Sequence, residues 1–133
     1  MKMTDEERKA LVEQRIKRAY DTWNETKGIV EGEYWLAAAN RMYYACYYMA
    51  TALLASHSIE ANTHSGVIRM IGLYFVQKGL ISKEMGHYYG RLFELRQSGD
   101  YDDWVMLGAG DVLPLYNRIK DFFDEVEPLI KRD

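Results

Sequence analysis

The chain has 133 residues, 48% of them hydrophobic and 28% charged, with a formal net charge of −3. That length carries one domain with a real core, and that balance excludes a disordered chain and a protein that binds duplex nucleic acid by overall charge. Two prolines, ten glycines and a single cysteine, Cys46, favour a few long helices and leave no internal disulfide and no cysteine metal site.

The opening MKMTDEERKALVEQ is too charged for a secretory signal and points to a cytoplasmic protein. Thr4 with Glu7 forms a capping-box pattern, and Asp5, Glu6 and Glu7 put acids in the first turn. Val12, Ile16, Ala19, Tyr20 and Trp23 then recur at helical spacing, with Gly28 as the expected end. A second helix is expected from about Gly32 to about Ser56. It is apolar nearly all round, with Trp35, Met42, Met49 and Leu53 on one side and Leu36, Tyr43, Tyr47 and Leu54 on another. Such a helix is central and buried. The run is long enough to cross a bilayer, but Asn40 and Arg41 lie inside it and its tyrosines sit mid-run, which argues against a span. Arg41 then requires a partner or an opening, because a buried unpaired charge is costly.

Asn62, Thr63 or Ser65 caps a third helix that carries Val67, Ile68, Ile71, Phe75 and Val76 up to Gly79, and Gly72 within it suggests a close helix approach. Ser82 caps a fourth, with Met85, Tyr88 or Tyr89, Leu92 and Leu95 inward and Gly86 and Gly90 open to a close neighbour. It ends near Gly99, and an Asp-rich loop follows. Asp111 is the expected cap of a fifth helix, with Pro114 in its first turn and Val112, Leu115, Ile119, Phe122, Phe123, Val126 and Ile130 on one face. No period-2 alternation marks a strand. The expected fold is all-α, an up-and-down four-helix bundle with an additional fifth helix, in one domain over residues 1–133.

The sequence holds no Walker loop, no G-x-G-x-x-G, no G-x-S-x-G and no H-E-x-x-H, and His57, His64 and His87 lack ligand-like spacing, so neither a metal nor a cofactor is expected. What remains is polar groups at unexpected positions. Arg41, beside Asn40, reads as a core arginine paired with an acid such as Asp100, or as a ligand contact, and the two readings are compatible. Thr63 and His64 read as a cap and a surface imidazole, or as part of a site. Arg96 reads as a cation at a helix C-terminus or as a functional group. Tyr43, Tyr44, Tyr47 and Tyr48 read as core, with some hydroxyls facing a cleft.

Three segments, AAANRMYYACYYMATALL, THSGVIRMIGLYFVQKGLIS and RLFELRQSGDYDDW, together resemble the short, stand-alone prokaryotic branch of the HEPN-domain family over about residues 8 to 131. The pattern falls on Asn40, Arg41, Tyr43, Tyr44 and Ala45, on Thr63, His64, Ser65 and Gly66, and on Arg96, Asp100 and Tyr101. Each motif alone is weak, but three in order make a strong match. The resemblance implies a homodimeric helical bundle, often beside a minimal nucleotidyltransferase in a toxin–antitoxin pair. Many such proteins are metal-independent ribonucleases that use an Arg and a His with four to six residues between them. Here the positions where that His would fall are Tyr101, Asp102 and Asp103. Tyrosine titrates too high for an easy base, and aspartate brings negative charge beside phosphate. The usual mechanism is therefore incomplete, and His64 is the candidate substitute base.

The leading expectation is thus a nucleotide- or RNA-binding component of a nucleotidyltransferase-associated, toxin–antitoxin-like system. In it Arg41 and Arg96 meet phosphate, Asn40, Tyr44 and Tyr101 hydrogen-bond or stack, and Asp100 orients an arginine. The alternatives are a metal-independent RNA endonuclease using Arg96 with His64 or Tyr101, and a helical interaction module in which the Arg–Asp–Tyr group is structural.

Overall fold

A computed structural model describes residues 3–101 and 106–132. Its helices are α1 (Asp5–Glu31), α2 (Trp35–Ser56), α3 (His64–Ile71), α4 (Lys83–Tyr101), α5 (Ala109–Tyr116) and α6 (Ile119–Val126). One π-helical turn, Gly72–Val76, continues α3, and a 3-10 turn, Glu127–Leu129, follows α6. No strand occurs among the described residues. No helix among them is long and apolar enough to cross a membrane.

The expected capping box is in place: Glu7 N–H donates to Thr4 Oγ1 at 3.1 Å and Thr4 N–H donates to Glu7 Oε1 at 2.9 Å. Gly28 does not end α1. The helix runs one turn further, and Gly32 is its C-cap, where a Cβ would sit 2.5 Å from the Tyr34 ring. The second helix accordingly starts at Trp35 rather than near Gly32. It is the central element as expected. Met42, Tyr43, Met49 and Leu53 are fully buried, and so are the small residues Ala38, Ala45 and Ala52, spaced seven apart, that admit close neighbours.

The short turn at residues 32–34 sets α1 antiparallel to α2, with Arg18 over Tyr48 at one level and Ile29 bonded to Tyr34 N–H at the next. Two polar residues of α1, Thr22 and Thr26, are buried, and Thr26 Oγ1 satisfies itself by donating to the Thr22 carbonyl at 2.7 Å. Helix α4 is antiparallel to α2 as well: Tyr89 stacks on Tyr43, and Leu36 lies against Gly99. From the far side α6 closes the core. Phe123 packs edge-on against Tyr20 and Trp23 of α1, and Phe122 stacks on Tyr89 of α4.

The fifth helix departs from expectation in two ways. Gly108, not Asp111, is its cap; Asp111 lies three residues inside and accepts from Gly108 N–H at 2.9 Å. Pro114 therefore falls past the first turn, where it leaves the Gly110 carbonyl without its i+4 donor. The helix then breaks at Asn117–Arg118 and resumes as α6. Ser82 caps α4 as expected, since its Oγ accepts from Met85 N–H at 3.1 Å. Gly86 meets Val76 of the π turn, with a Cβ position 3.0 Å from it, whereas Gly72 and Gly90 have nothing within 4 Å. Gly72 is thus not a helix-packing glycine but the first residue of the π turn.

Candidate functional site

Helical spacing on α2 puts Asn40, Tyr43, Tyr44 and Tyr47 at i, i+3, i+4 and i+7, a single stripe. On α4, Phe93, Arg96 and Asp100 stand at i, i+3 and i+7. The first residue of α3 is His64. Antiparallel packing of α2 and α4 brings the two stripes face to face, and the cap of α3 delivers the imidazole to their meeting point. Thr63 Oγ1 accepts from Gly66 N–H at 2.9 Å and so fixes where α3 begins.

Arg96 is the buried centre, only 8% exposed. Its guanidinium lies over the rings of Tyr43 and Tyr44, 5.4 and 5.3 Å from their centroids. Its Nε is 3.3 Å from Asp100 Oδ2. The same carboxylate oxygen accepts from Asn40 Nδ2 at 2.9 Å. Asn40 in turn accepts through Oδ1 from Arg41 Nε and an Arg41 terminal nitrogen, at 3.0 and 2.9 Å. The expected Arg41–Asp100 pair is therefore replaced. Asp100 is held by Arg96 and Asn40, and Arg41 folds back on its own neighbour and over Tyr44, 5.1 Å from the ring. The physical reason is the register. Arg96 and Asp100 are one turn apart on α4, so that pair forms within the helix, and Arg41 stays half-buried at the rim.

His64 is not a surface imidazole. Its ring packs 4.8 Å from Tyr47, 5.6 Å from Tyr43 and 5.9 Å from Tyr44. Nδ1 is 2.7 Å from the Tyr43 hydroxyl. Burial, and then the positive charge of Arg96, lower its pKa below the usual imidazole value, so it is neutral at pH 7. Burial pushes the Tyr43 hydroxyl well above its ordinary range, so that group is a protonated phenol. Two tautomers satisfy the bond between them. With Nδ1 protonated, it donates to the phenolic oxygen and Nε2 presents a lone pair; with Nδ1 bare, the phenol donates and Nε2 carries the N–H. Among the described residues Nε2 has no hydrogen-bond partner. It is the site's one ring nitrogen left for a proton or a phosphate oxygen.

Residues from three helices thus share one site: Asn40, Arg41, Tyr43, Tyr44, His64, Arg96 and Asp100. The side chain of Tyr101, and Asp102 and Asp103 altogether, lie outside the described residues. The other histidines are elsewhere. His57 bonds through Nε2 to the Leu129 carbonyl at 2.9 Å and ties α2 to the C-terminal turn. No group of acids, histidines and cysteine able to hold a metal ion exists among the described residues.

Comparison with known proteins decides the family. The HEPN domain model matches residues 12–129. The chain belongs to the HEPN domain family. A UPF0332 protein of Thermotoga maritima is 33% identical over 125 residues, which cover 94% of this chain and 95% of that protein. A Methanocaldococcus jannaschii protein named as a candidate toxin is 35% identical over 96 residues, 72% of this chain and 69% of its own. A UPF0332 protein of Pyrococcus horikoshii is 35% identical over 77 residues, 58% of this chain and 54% of its own.

Within this HEPN domain the histidine beside Arg96 comes from α3 rather than from the residues after the arginine. Sequence spacing alone had no means to pair them, because 32 positions separate His64 from Arg96. Phe93 had no reading in the sequence, and Tyr43 and Tyr47 were read as core with some hydroxyls facing a cleft. Their signal was the tyrosines one turn beyond Asn40 and Arg41, on the stripe that has to face α4.

Proposed function

We propose that this HEPN domain is a toxin-like component that engages a nucleotide or a short RNA segment through phosphate at the Arg41–Tyr44–Arg96 group. The single observation that carries this reading is the arrangement of two guanidiniums about one tyrosine ring, 5.1 and 5.3 Å from its centroid. Among the described residues of the site one carboxylate, Asp100, stands against those two cations. A guanidinium stacked on a ring is held by its face, and Arg41, whose Nε and one terminal nitrogen donate to Asn40, has its other terminal nitrogen to offer a phosphate oxygen. Arg41, at the rim, makes the first contact; Arg96 supplies field from beneath; Asp100 and Asn40 orient the two arginines. A toxin-like role is supported by the name of the M. jannaschii relative. The partners that go with this reading are a second copy of the chain and a minimal nucleotidyltransferase, in the cytoplasm.

One further observation favours a second reading, a metal-independent RNA endonuclease. His64 is neutral, fixed by Tyr43, and close enough to Arg96 to feel its charge. A base of that kind beside a phosphate-binding arginine is what ribose 2′-hydroxyl attack on phosphorus requires.

Titration of a labelled, 5′-phosphorylated RNA trinucleotide in EDTA tests both. Arg41→Ala is the informative variant, because Arg41 is half-buried and its loss leaves the core intact. A tenfold or larger loss of affinity with the RNA left whole is expected. Unchanged affinity in Arg41→Ala would sink the proposed site. Cleavage that disappears in His64→Asn would establish the endonuclease instead.

A further inference from the structure

We infer that the site continues along α1 and α2 as an arginine–tyrosine ladder that binds the backbone of a single-stranded polynucleotide, so that the ligand is a strand and not a lone mononucleotide. This rests on the phosphate reading of the Arg41–Tyr44–Arg96 group and extends it to residues outside that group.

Arg8, Leu11, Arg15 and Arg18 stand at i, i+3, i+7 and i+10 on α1, one stripe of the helix. The facing stripe of α2 is Arg41, Tyr44 and Tyr48, at i, i+3 and i+7. The two stripes meet. Arg18 lies 5.0 Å from the centroid of the Tyr48 ring and Arg15 lies 5.7 Å from it. The Tyr48 ring is 6.0 Å from that of Tyr44, which carries Arg41 and Arg96. Arg18 and Arg41 also line one shallow cavity. Further along, Arg8 and Arg15 border a groove of about 600 Å³ whose wall includes Tyr47, the ring packed closest to His64. From the site outward, the sequence of groups is thus Arg96, Tyr44, Arg41, Arg18, Tyr48, Arg15 and Arg8.

Charge on this face is distributed in favour of an anion. Asp5 pairs with Arg8 at 2.8 Å and Asp21 with Lys17 at 2.7 Å, while Glu25 lines the cavity of Arg18 and Arg41 and Glu60 the groove of Arg8 and Arg15, against five arginines in all. Arg15 and Arg18 form no salt bridge with any described residue and are held only by the Tyr48 ring. In a protein of net charge −3, Arg15, Arg18 and Arg41 thus stand along one line without a salt-bridge partner among the described residues, between the paired Arg96 and Arg8 at its two ends. Arg15 and Arg18, oriented by an aromatic face, suit phosphates in series. The stripe from Arg8 to Arg18 spans ten residues of helix, about 15 Å at ~1.5 Å per residue. That length suits on the order of four nucleotides at ~3.4 Å of stacked rise each, more than one nucleotide fills. A flexible strand follows such a line, whereas a stiff duplex presents its full charge density to an acidic protein.

The test is fluorescence anisotropy of the intact protein with labelled 12-residue oligouridylate and oligothymidylate, against 5′-AMP in competition, at several salt concentrations. The double variant Arg15→Ala/Arg18→Ala is expected to lose tenfold or more in affinity for the 12-mer. Its log–log salt slope should fall by about 1.4, at ~0.7 for each single-strand phosphate that the variant no longer neutralises, with its affinity for 5′-AMP unchanged. Equal loss on the two polymers means that the ladder reads backbone alone; a larger loss on the uridylate means that it also reads the 2′-hydroxyl. If the double variant binds the 12-mer as the parent does while Arg41→Ala binds it weakly, the ladder is wrong and the site reading stands. If the parent does not bind the 12-mer at all, the ladder is likewise overturned, and the trinucleotide titration decides the site separately.

Discussion

At the scale of single residues, His64 decides what the site does near neutral pH. Its pKa is lowered from the usual 6.5 by burial and by Arg96. In the unfolded chain the imidazole takes up its proton near that ordinary value, while the folded protein resists until lower pH. Within that window the unfolded state binds more protons, so stability rises with pH and is lost as pH falls from about 6.5 toward the depressed folded value. Above the window His64 contributes no pH dependence. An NMR titration of the His64 ring protons should therefore give a midpoint below that of an unfolded-peptide histidine, and Arg96→Gln should move the midpoint upward by removing the nearby charge. A midpoint at or above 6.5 in the unaltered protein would show that neither burial nor the charge of Arg96 acts on the imidazole as its place in the fold requires. Much of this was readable from the sequence as a set of candidates and little of it as a geometry. Arg41, Asn40, Arg96 and Asp100 stood out as polar groups in an apolar helix or at a helix end. Who pairs with whom did not, because Arg96 and Asp100 bond within α4 while Asn40 reaches Asp100 from α2. The first distance is set by helix geometry; the second depends on the rotation of two packed helices about their axes, which no local spacing encodes.

At the scale of elements, the site depends on where α3 starts. Thr63 is the cap, its hydroxyl accepting from Gly66 N–H at 2.9 Å, and His64 is the next residue. Thr63→Ala should cost about 1 kcal/mol of stability, the ordinary value of a lost N-cap. It should also free the first turn of α3, so that the His64–Tyr43 bond is weakened beyond what that stability loss explains. Thermal unfolding followed by circular dichroism gives the first quantity; the linewidth and shift of the His64 ring signal give the second. A variant with full loss of stability and an unchanged His64 signal would show that the aromatic packing of Tyr43, Tyr44 and Tyr47 alone holds the ring. Thr4 and Ser82 were legible as caps and Thr63 as one of three candidates with Asn62 and Ser65; Thr4, Thr63 and Ser82 each carry a hydroxyl before an apolar stripe, and each accepts a first-turn N–H. The helix ends were less so. Gly28 looked like a terminus, yet it costs α1 only helix propensity, and the stop comes at Gly32 where the Tyr34 ring leaves no room for a Cβ. Asp111 looked like a cap because Asp favours both the cap and the third helical position, and only the geometry of Gly108 separates them. The π turn at Gly72–Val76 had no local signal beyond one glycine.

At the scale of the whole molecule, α2 is the element that every other helix leans on. Tyr43 meets Tyr89 of α4, Tyr47 meets His64 of α3, Tyr48 carries Arg15 and Arg18 of α1, and His57 at its end reaches the Leu129 carbonyl beyond α6. Leu53, fully buried in the C-terminal half of this helix, lies in the single core cluster that takes residues from all six helices. A domain built around one central helix has no part that can retain its core when that helix leaves. Unfolding should therefore be a single cooperative transition. Trp23 of α1 packs against Phe123 of α6, so tryptophan fluorescence includes a signal from the closure of the outer helices on the core, whereas far-ultraviolet circular dichroism reports helix content throughout. In urea the two signals should give the same midpoint. Leu53→Ala should lower that midpoint by an amount worth about 2–5 kcal/mol, the range for a truncated core leucine, with the slope unchanged. Noncoincident curves would mean that the α5–α6 segment, already interrupted at Asn117–Arg118, comes away before the α1–α2–α4 core. A changed slope with coincident curves would place the effect of Leu53→Ala in the compactness of the unfolded chain instead.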